Sequence, residues 1–392
     1  MNIMSVALMY LYRDIKKHGV KLIAGEKGLK NKVRWTHIVE SEEIATFLQG
    51  QEIVFTTGIA IKNQSDLFNL IKTTKEQNSS GIIINTGKYI ENISQDILDY
   101  CNENEYPLFL MPWGIRIAEI MKDLTITILE SEKTYLEISN AIKDAIFLPT
   151  YEELYINTLE KAGFKSSWRY ILTIIEVDYK NINTEDTEYF ITKIKQYIED
   201  ELNYIRSNFF CVEVGQSIII LFLNKSDSEI DKILKKLYIN LEKKFESMNF
   251  YVGIGKHTSS IEKLYKGYEE ARNVAKINRL LRNNNVHIRY SELGLYRLLL
   301  GIENKDIMKE FHDETIGDLE VYDEVNNTDY VELLINYFEN NCKVNETANS
   351  LYIHRNTVNY KINKIEEILD LNLSDIGDRS KIYLSLMIRY LI

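Results

Sequence analysis

The stretch from His354 to Lys364, HRNTVNYKINK, concentrates side chains that can read a nucleic acid. Asn356, Asn359 and Asn363 each carry an amide able to donate to and accept from an adenine edge. Arg355 can fork onto guanine, while Thr357, Tyr360 and Lys364 suit phosphate oxygens. At about 100° per residue, Val358, Ile362, Ile365 and Leu369 fall on one narrow face, which predicts a helix buried along that stripe with its polar side chains opposite. His354 then stands where an N-cap belongs. A solvated helix face usually mixes Glu with Lys in i,i+4 pairs, whereas here Arg355, Lys361 and Lys364 occur with no acid before Glu366 and Glu367. An acid-free face followed by acids is the pattern that release of counterions from a duplex favours.

The elements that must position this face lie just upstream. Leu334, Ile335 and Phe338 mark a first helix over residues 331–341, and residues 342–344 make a short connection. Asn345 is the expected N-cap of a second helix running through Thr347, Ala348 and Leu351, and a tight turn at Tyr352 and Ile353 delivers the chain to His354. Helix, helix, turn and Asn/Arg-rich helix is the order of a helix-turn-helix whose last helix enters the major groove.

A second group of candidates lies near the N-terminus. Short apolar runs at 33–39, 52–56, 81–85 and 108–111 alternate with helical patterns at 42–48, 67–76 and 94–102, which predicts an α/β sheet. Thr56-Thr57-Gly58 and Pro112-Trp113-Gly114 stand at strand ends, where such sheets open crevices for ligands. The hydroxyls and amides of Thr56, Thr57 and Gly58 suit a polar metabolite. The same residues also suit a plain turn with Gly58 at positive φ, and Trp113 fits a pocket or a core. A helical passage over 115–162 follows, as a linker or a dimer element. From Trp168 the pattern is strand 170–178, helix 187–205, strands 209–214 and 217–223, helix 228–246, strand 250–255 and helix 259–277. That order predicts a sheet of four or five strands with helices on one side.

From 311 to 392 the chain resembles the C-terminal region of the purine catabolism regulator (PucR) family of bacterial transcription factors. The resemblance rests on Val321-Tyr322-Asp323, LLINYFENN at 333–341, ETANSLYIHRNTVNYKINKIEEILDLNL at 346–373 and DIGDRSKIYLSLMIRYL at 375–391. It implies that His354-Arg355-Asn356-Thr357 opens the recognition helix. EIVFTTGIAI at 52–61 and PLFLMPWGIRIAEI at 107–120 resemble the strands of the PucR-type N-terminal domain, taken to be a metabolite sensor. This implies pocket roles for Thr56, Thr57, Gly58 and Trp113. The middle segment resembles a GGDEF-like domain. An active diguanylate cyclase needs carboxylates in its hairpin to hold magnesium on the nucleotide. The turn here, Val214-Gly215-Gln216-Ser217, has no acid, and Asp178 alone cannot replace the missing set.

The whole chain bounds these readings. Its 392 residues hold about two or three domains. A net charge of −11 argues against general nucleic-acid affinity, so any DNA contact is local and needs a second copy. The cysteines, Cys101, Cys211 and Cys342, are scattered and odd in number, which fits a reducing cytoplasm. The histidines, His18, His37, His257, His287, His312 and His354, show no metal spacing. Gly253-x-Gly255 lacks the rest of a phosphate loop and reads as a tight strand end. No apolar stretch reaches the roughly 18 residues of a membrane span.

The expected fold is therefore multidomain α/β and α+β. It comprises an N-terminal α/β sensor domain (1–125), a helical linker or dimer element (126–165), a ferredoxin-like, GGDEF-like α+β domain (166–290), a helical linker (291–328) and an all-α helix-turn-helix domain (329–392). The expected protein is a cytoplasmic, ligand-responsive regulator with no catalytic residues, metal or cofactor. Its expected partners are double-stranded operator DNA, a small effector of purine or other nitrogen and carbon metabolism, and a second copy of itself. The alternatives are a nucleotide-cyclase-like enzyme and a protein-interaction module whose helical tail does not touch DNA.

Overall fold

The computed structural model describes residues 6–179, 187–205, 208–281 and 289–392, so His287 lies outside the described residues. The chain divides into two compact units, one of residues 1–168 with 202–212, the other of 169–201 with 213–392.

The first unit is built on a five-stranded sheet in the order Lys21–Ala24, Leu108–Pro112, Gly81–Thr86, Glu52–Thr56, Trp35–Ile38. The first strand is antiparallel to its neighbour and the remaining pairs are parallel. The inner strands are near-continuous apolar runs because helices cover both faces. Val54, Ile82, Ile84 and Leu108 pack on Leu67, Leu70 and Ile71 of helix Gln64–Glu76 and on Ile97 of helix Gln95–Glu103. Ile53, Phe55, Ile83 and Phe109 pack on Leu8, Leu11 and Ile15 of helix Leu8–Lys16 and on Ile120 and Leu124 of the long helix Ile117–Phe147. All four parallel strands end at one edge, which places the segments after Thr56, Thr86 and Pro112 side by side.

The helical passage expected over 115–162 is not continuous. It stops at Phe147, and after a single 3-10 turn at Glu152–Leu154 the α-helix resumes at Ile156–Lys161. Pro149 clashes with a preceding residue in the α region, and Leu148 accordingly sits at φ −127, ψ 49.

In the middle segment a four-stranded sheet has the order Met248–Ile254, Tyr170–Tyr179, Ser217–Leu223, Phe209–Val214, and the division between the units runs through the last strand. Tyr170–Tyr179 is antiparallel to both Ser217–Leu223 and Met248–Ile254. Residues 170–175 and 218–223 are all buried, so both faces of these strands are covered. Gly253 and Gly255 serve packing more than strand ending. A Cβ on Gly253 would lie 1.9 Å from the Ala271 carbonyl oxygen, and one on Gly255 2.3 Å from that of Gly267. Only glycine lets helix Leu264–Leu280 approach so closely.

The C-terminal part is all-helical: Lys305–Asn326, Tyr330–Glu339, Val344–Ser350, Arg355–Leu369 and Ile376–Ile388. These helices share one core that includes Ile316, Leu319, Leu333, Leu334, Ala348, Val358, Ile365, Ile382 and Leu386. The helix at Lys305–Asn326 is thus part of this body through its last three turns. Among the described residues no helix is long and apolar enough to cross a membrane.

Candidate nucleic-acid interface

The interface is assembled from its caps and turns. Helix Lys305–Asn326 ends on Asn327 in the left-handed region, at φ 52. Four residues before that stop, Asp323 turns its carboxylate onto the start of the next helix. It accepts from the amides of Tyr330 at 3.0 Å and Val331 at 2.9 Å, and from the Thr328 hydroxyl. This supplies partners for amides that helix Tyr330–Glu339 cannot satisfy itself. The connection then turns through Asn341 and Cys342, both at positive φ. The second helix starts with Lys343 as N-cap and no side-chain bond to it, so Asn345 lies inside the first turn and is not the cap expected from its type. Thr347, buried, donates its hydroxyl back to the Lys343 carbonyl at 3.0 Å, which closes that turn without Asn345.

Tyr352 makes the sharp bend before the last helix. It is 96% exposed at φ 55, a conformation uncommon for an aromatic residue. His354 follows in extended conformation, and its Nδ1 accepts from the Asn356 amide at 3.2 Å, so the expected cap is in place. From there Arg355–Leu369 is helical. Val358, Ile362 and Ile365 are buried, and Leu369 packs partly buried on the same core. His354, Arg355, Asn356, Thr357, Asn359, Tyr360 and Asn363 are exposed, and Lys364 is half-buried. One helix and its N-cap therefore carry all eight candidate residues outside the buried stripe.

Electrostatics qualify the sequence reading. Lys361 is paired with Asp329, Lys364 with Glu367 at 2.8 Å, and Lys343 with Glu346 at 2.8 Å. The hydrogen bond and charge of Glu367 raise the pKa of Lys364. Arg355 has no acid at ion-pair distance among the described residues. Arg355, Asn356 and Asn359 line an open cleft of ≈ 450 Å³ together with Lys343, Val344, Asn345 and Glu346 of the second helix. Asp323, which holds the start of the first helix, and Asp329, which pairs with Lys361, are supporting residues that spacing alone did not single out. For Asp323 a signal existed, because it ends the Val321-Tyr322-Asp323 element.

In the first unit the four candidate pocket residues stand at the same sheet edge. Thr56 is fully buried and its hydroxyl donates to Glu40 at 3.0 Å, while Thr57 donates to the same carboxylate through its amide at 3.0 Å and its hydroxyl at 2.7 Å. These donors therefore hold an internal carboxylate. Gly58 is at φ 76, and a Cβ there would fall 2.4 Å from Ile90 Cδ1. Trp113 is 41% exposed, edge-on to Tyr89 with centroids 5.5 Å apart, and the Lys88 ammonium lies 5.2 Å from its ring and 4.9 Å from that of Tyr89. In the middle segment Gly215 turns the hairpin at φ 57, and Asp178 is opposite Asn249 on the neighbouring strand. Among the described residues no group of three or more His, Cys, Asp or Glu is placed to hold a metal ion.

Comparison with known proteins follows the same three parts. Residues 11–128 match the purine catabolism regulatory protein-like family, 151–277 a GGDEF-like domain, and 330–388 the PucR C-terminal helix-turn-helix domain. The proline-responsive transcriptional activator PutR of Bacillus subtilis is 32% identical over 204 residues, which is 50% of this chain and 50% of that protein. The DNA-binding transcriptional activator AdeR of B. subtilis is 25% identical over 51% of this chain and 50% of its own length. The purine catabolism regulatory protein of the same organism is 23% identical over 45% of this chain and 31% of its own. The chain thus spans about half or less of the length of the curated relatives it matches. The chain thus carries, in this order along one sequence, a purine catabolism regulatory protein-like N-terminal domain, a GGDEF-like domain and a PucR C-terminal helix-turn-helix domain.

Proposed function

We propose that the protein is a ligand-responsive, sequence-specific DNA-binding regulator of transcription that works in the cytoplasm as a homodimer or higher homo-oligomer. The observation that carries this reading is the exposed face His354 to Lys364, held rigid by the buried stripe Val358, Ile362 and Ile365. Such a face is of the size and chemistry that a major groove admits. Two copies about one helical turn apart, roughly 34 Å, match a partly palindromic operator.

The N-terminal domain, residues 1–125, takes the effector at the sheet edge that carries Thr56, Thr57, Gly58 and Trp113. An effector that binds one arrangement of the oligomer better than another shifts the population between them, and with it the spacing of the recognition helices. Its class is a small metabolite of nitrogen or carbon metabolism. Support comes from two relatives, whose names point to proline and to purine catabolism. The middle domain, residues 166–290, is a scaffold with no catalytic role, a reading supported by the acid-free hairpin turn.

The test is binding of the full chain to DNA fragments from upstream of its own gene, followed by fluorescence anisotropy. An Arg355→Ala, Asn356→Ala double variant loses specific binding while keeping its fold, since both side chains are exposed. Equal affinity of the double variant overturns the assignment.

A further inference from the structure

Three amides stand on the exposed side of the recognition helix at i, i+3 and i+7: Asn356, Asn359 and Asn363. That spacing keeps them on one face, rising about 1.5 Å per residue along the axis. None of the three has a side-chain hydrogen-bond partner among the described residues, so their donors and acceptors are free. A fourth amide, Asn345, reaches the same cleft from the second helix. The lysines around this face are differently placed. Lys343, Lys361 and Lys364 each have an acid partner, in Glu346, Asp329 and Glu367. Arg355 is the cation on the face without one among the described residues.

We propose that this surface reads adenines, through Asn356, Asn359 and Asn363 in the major groove, and that its half-site is A·T-rich with Arg355 over a flanking guanine. The argument is one of matched functional groups. Adenine presents N7 as acceptor and the N6 amine as donor in the groove, the pair that one carboxamide satisfies in bidentate fashion. An unpaired amide that meets another base edge has to give up water without full compensation. Because the lysines are already balanced by acids, the face offers less undirected attraction to phosphates than its count of cations suggests. Discrimination between bases therefore rests on the amides and Arg355.

This inference rests on the DNA-binding reading above, and the experiment separates the two. The full chain is used to select duplexes from a randomised library, and the selected duplex is then resynthesised with 7-deazaadenine, which lacks N7, at single positions. The expected result is selection of A·T-rich half-sites and a loss of about tenfold in affinity at each adenine facing an amide. In Asn359→Ala one of these positions becomes indifferent to the 7-deaza change, a readout that loss of stability would not produce. If no duplex is enriched over the starting library, the DNA-binding reading itself fails. If duplexes are enriched and bound equally with adenine and 7-deazaadenine, the DNA-binding reading stands and the amide face is refuted.

Discussion

Replacing Asp323 by alanine should loosen the first helix of the DNA-binding part without touching its reading face. The carboxylate accepts from the Tyr330 amide at 3.0 Å, the Val331 amide at 2.9 Å and the Thr328 hydroxyl. Loss of a helix cap costs about 0.5–2 kcal/mol, and hydrogen bonds to a charged acceptor lie at the upper end of such ranges. Asp323 is half-buried, so water re-satisfies part of what is lost, and about 2 kcal/mol is the reasonable figure. The full chain has several domains, and a single unfolding midpoint would mix their transitions. Amide hydrogen exchange over residues 330–335, read by mass spectrometry, isolates the local opening. At about 1.4 kcal/mol per factor of ten, exchange there should quicken roughly 30-fold. Asp323→Asn keeps a neutral acceptor and should show about 1 kcal/mol, or roughly fivefold. Exchange in the alanine variant within about twofold of the parent would refute the cap as a stabilising element.

Asp329→Asn should free Lys361 for phosphate, so that the slope of log affinity against log salt steepens by about 1; an unchanged slope would mean the pair persists on DNA or never mattered. Gly253→Ala places a Cβ against the backbone of Ala271 and Ala275 and should destabilise the middle domain by about 3 kcal/mol or more, visible as lost soluble yield or a lowered melting temperature. Cys101 is buried and its thiol is pushed up to about 12 by that burial, so alkylation of the native protein at pH 8 should mark the half-exposed Cys342 and spare Cys101. The Ser226 amide and hydroxyl, with Lys225, hold the Glu229 carboxyl down at about 2. Its contribution to the helix start is therefore present above the ordinary carboxylate range and lost as pH falls through about 2. A carboxyl carbon titration by NMR with a midpoint near 4.3 would contradict this.

The recognition helix was legible because one period determines both its faces: the residues that bury Val358, Ile362 and Ile365 leave Asn356, Asn359 and Asn363 outside. His354 as cap was legible because the tight turn at Tyr352 and Ile353 delivers the chain to it just before the helix. Asn345 was misplaced because cap preference is a local propensity, and Thr347 closed the turn by another route. Contacts between distant residues carried no such signal. Lys361 finds Asp329 across 32 positions, and Thr57 finds Glu40 across 17. The acid-free reading of residues 354–364 was correct along the chain and incomplete in space. The strand Lys21–Ala24 went unseen because it is short and, at the sheet edge, fully buries only Ala24.

The joint at Asp323 has a mechanical consequence. Helix Lys305–Asn326 has 22 residues, or about 33 Å at 1.5 Å per residue, and its far end is clamped to the DNA-binding body by both the cap and the shared core. Its near half is packed as well, Met308 lying in one cluster with Met387, Ile388 and Leu391 and the Ser385 hydroxyl donating to the His312 carbonyl, so the helix and the DNA-binding body turn together. A tilt of about 5° at Lys305 would swing the clamped end by about 3 Å, close to the 3.4 Å rise of one base pair along each DNA strand. In the paired arrangement proposed above, such a swing would move one recognition helix by about one base pair relative to the other.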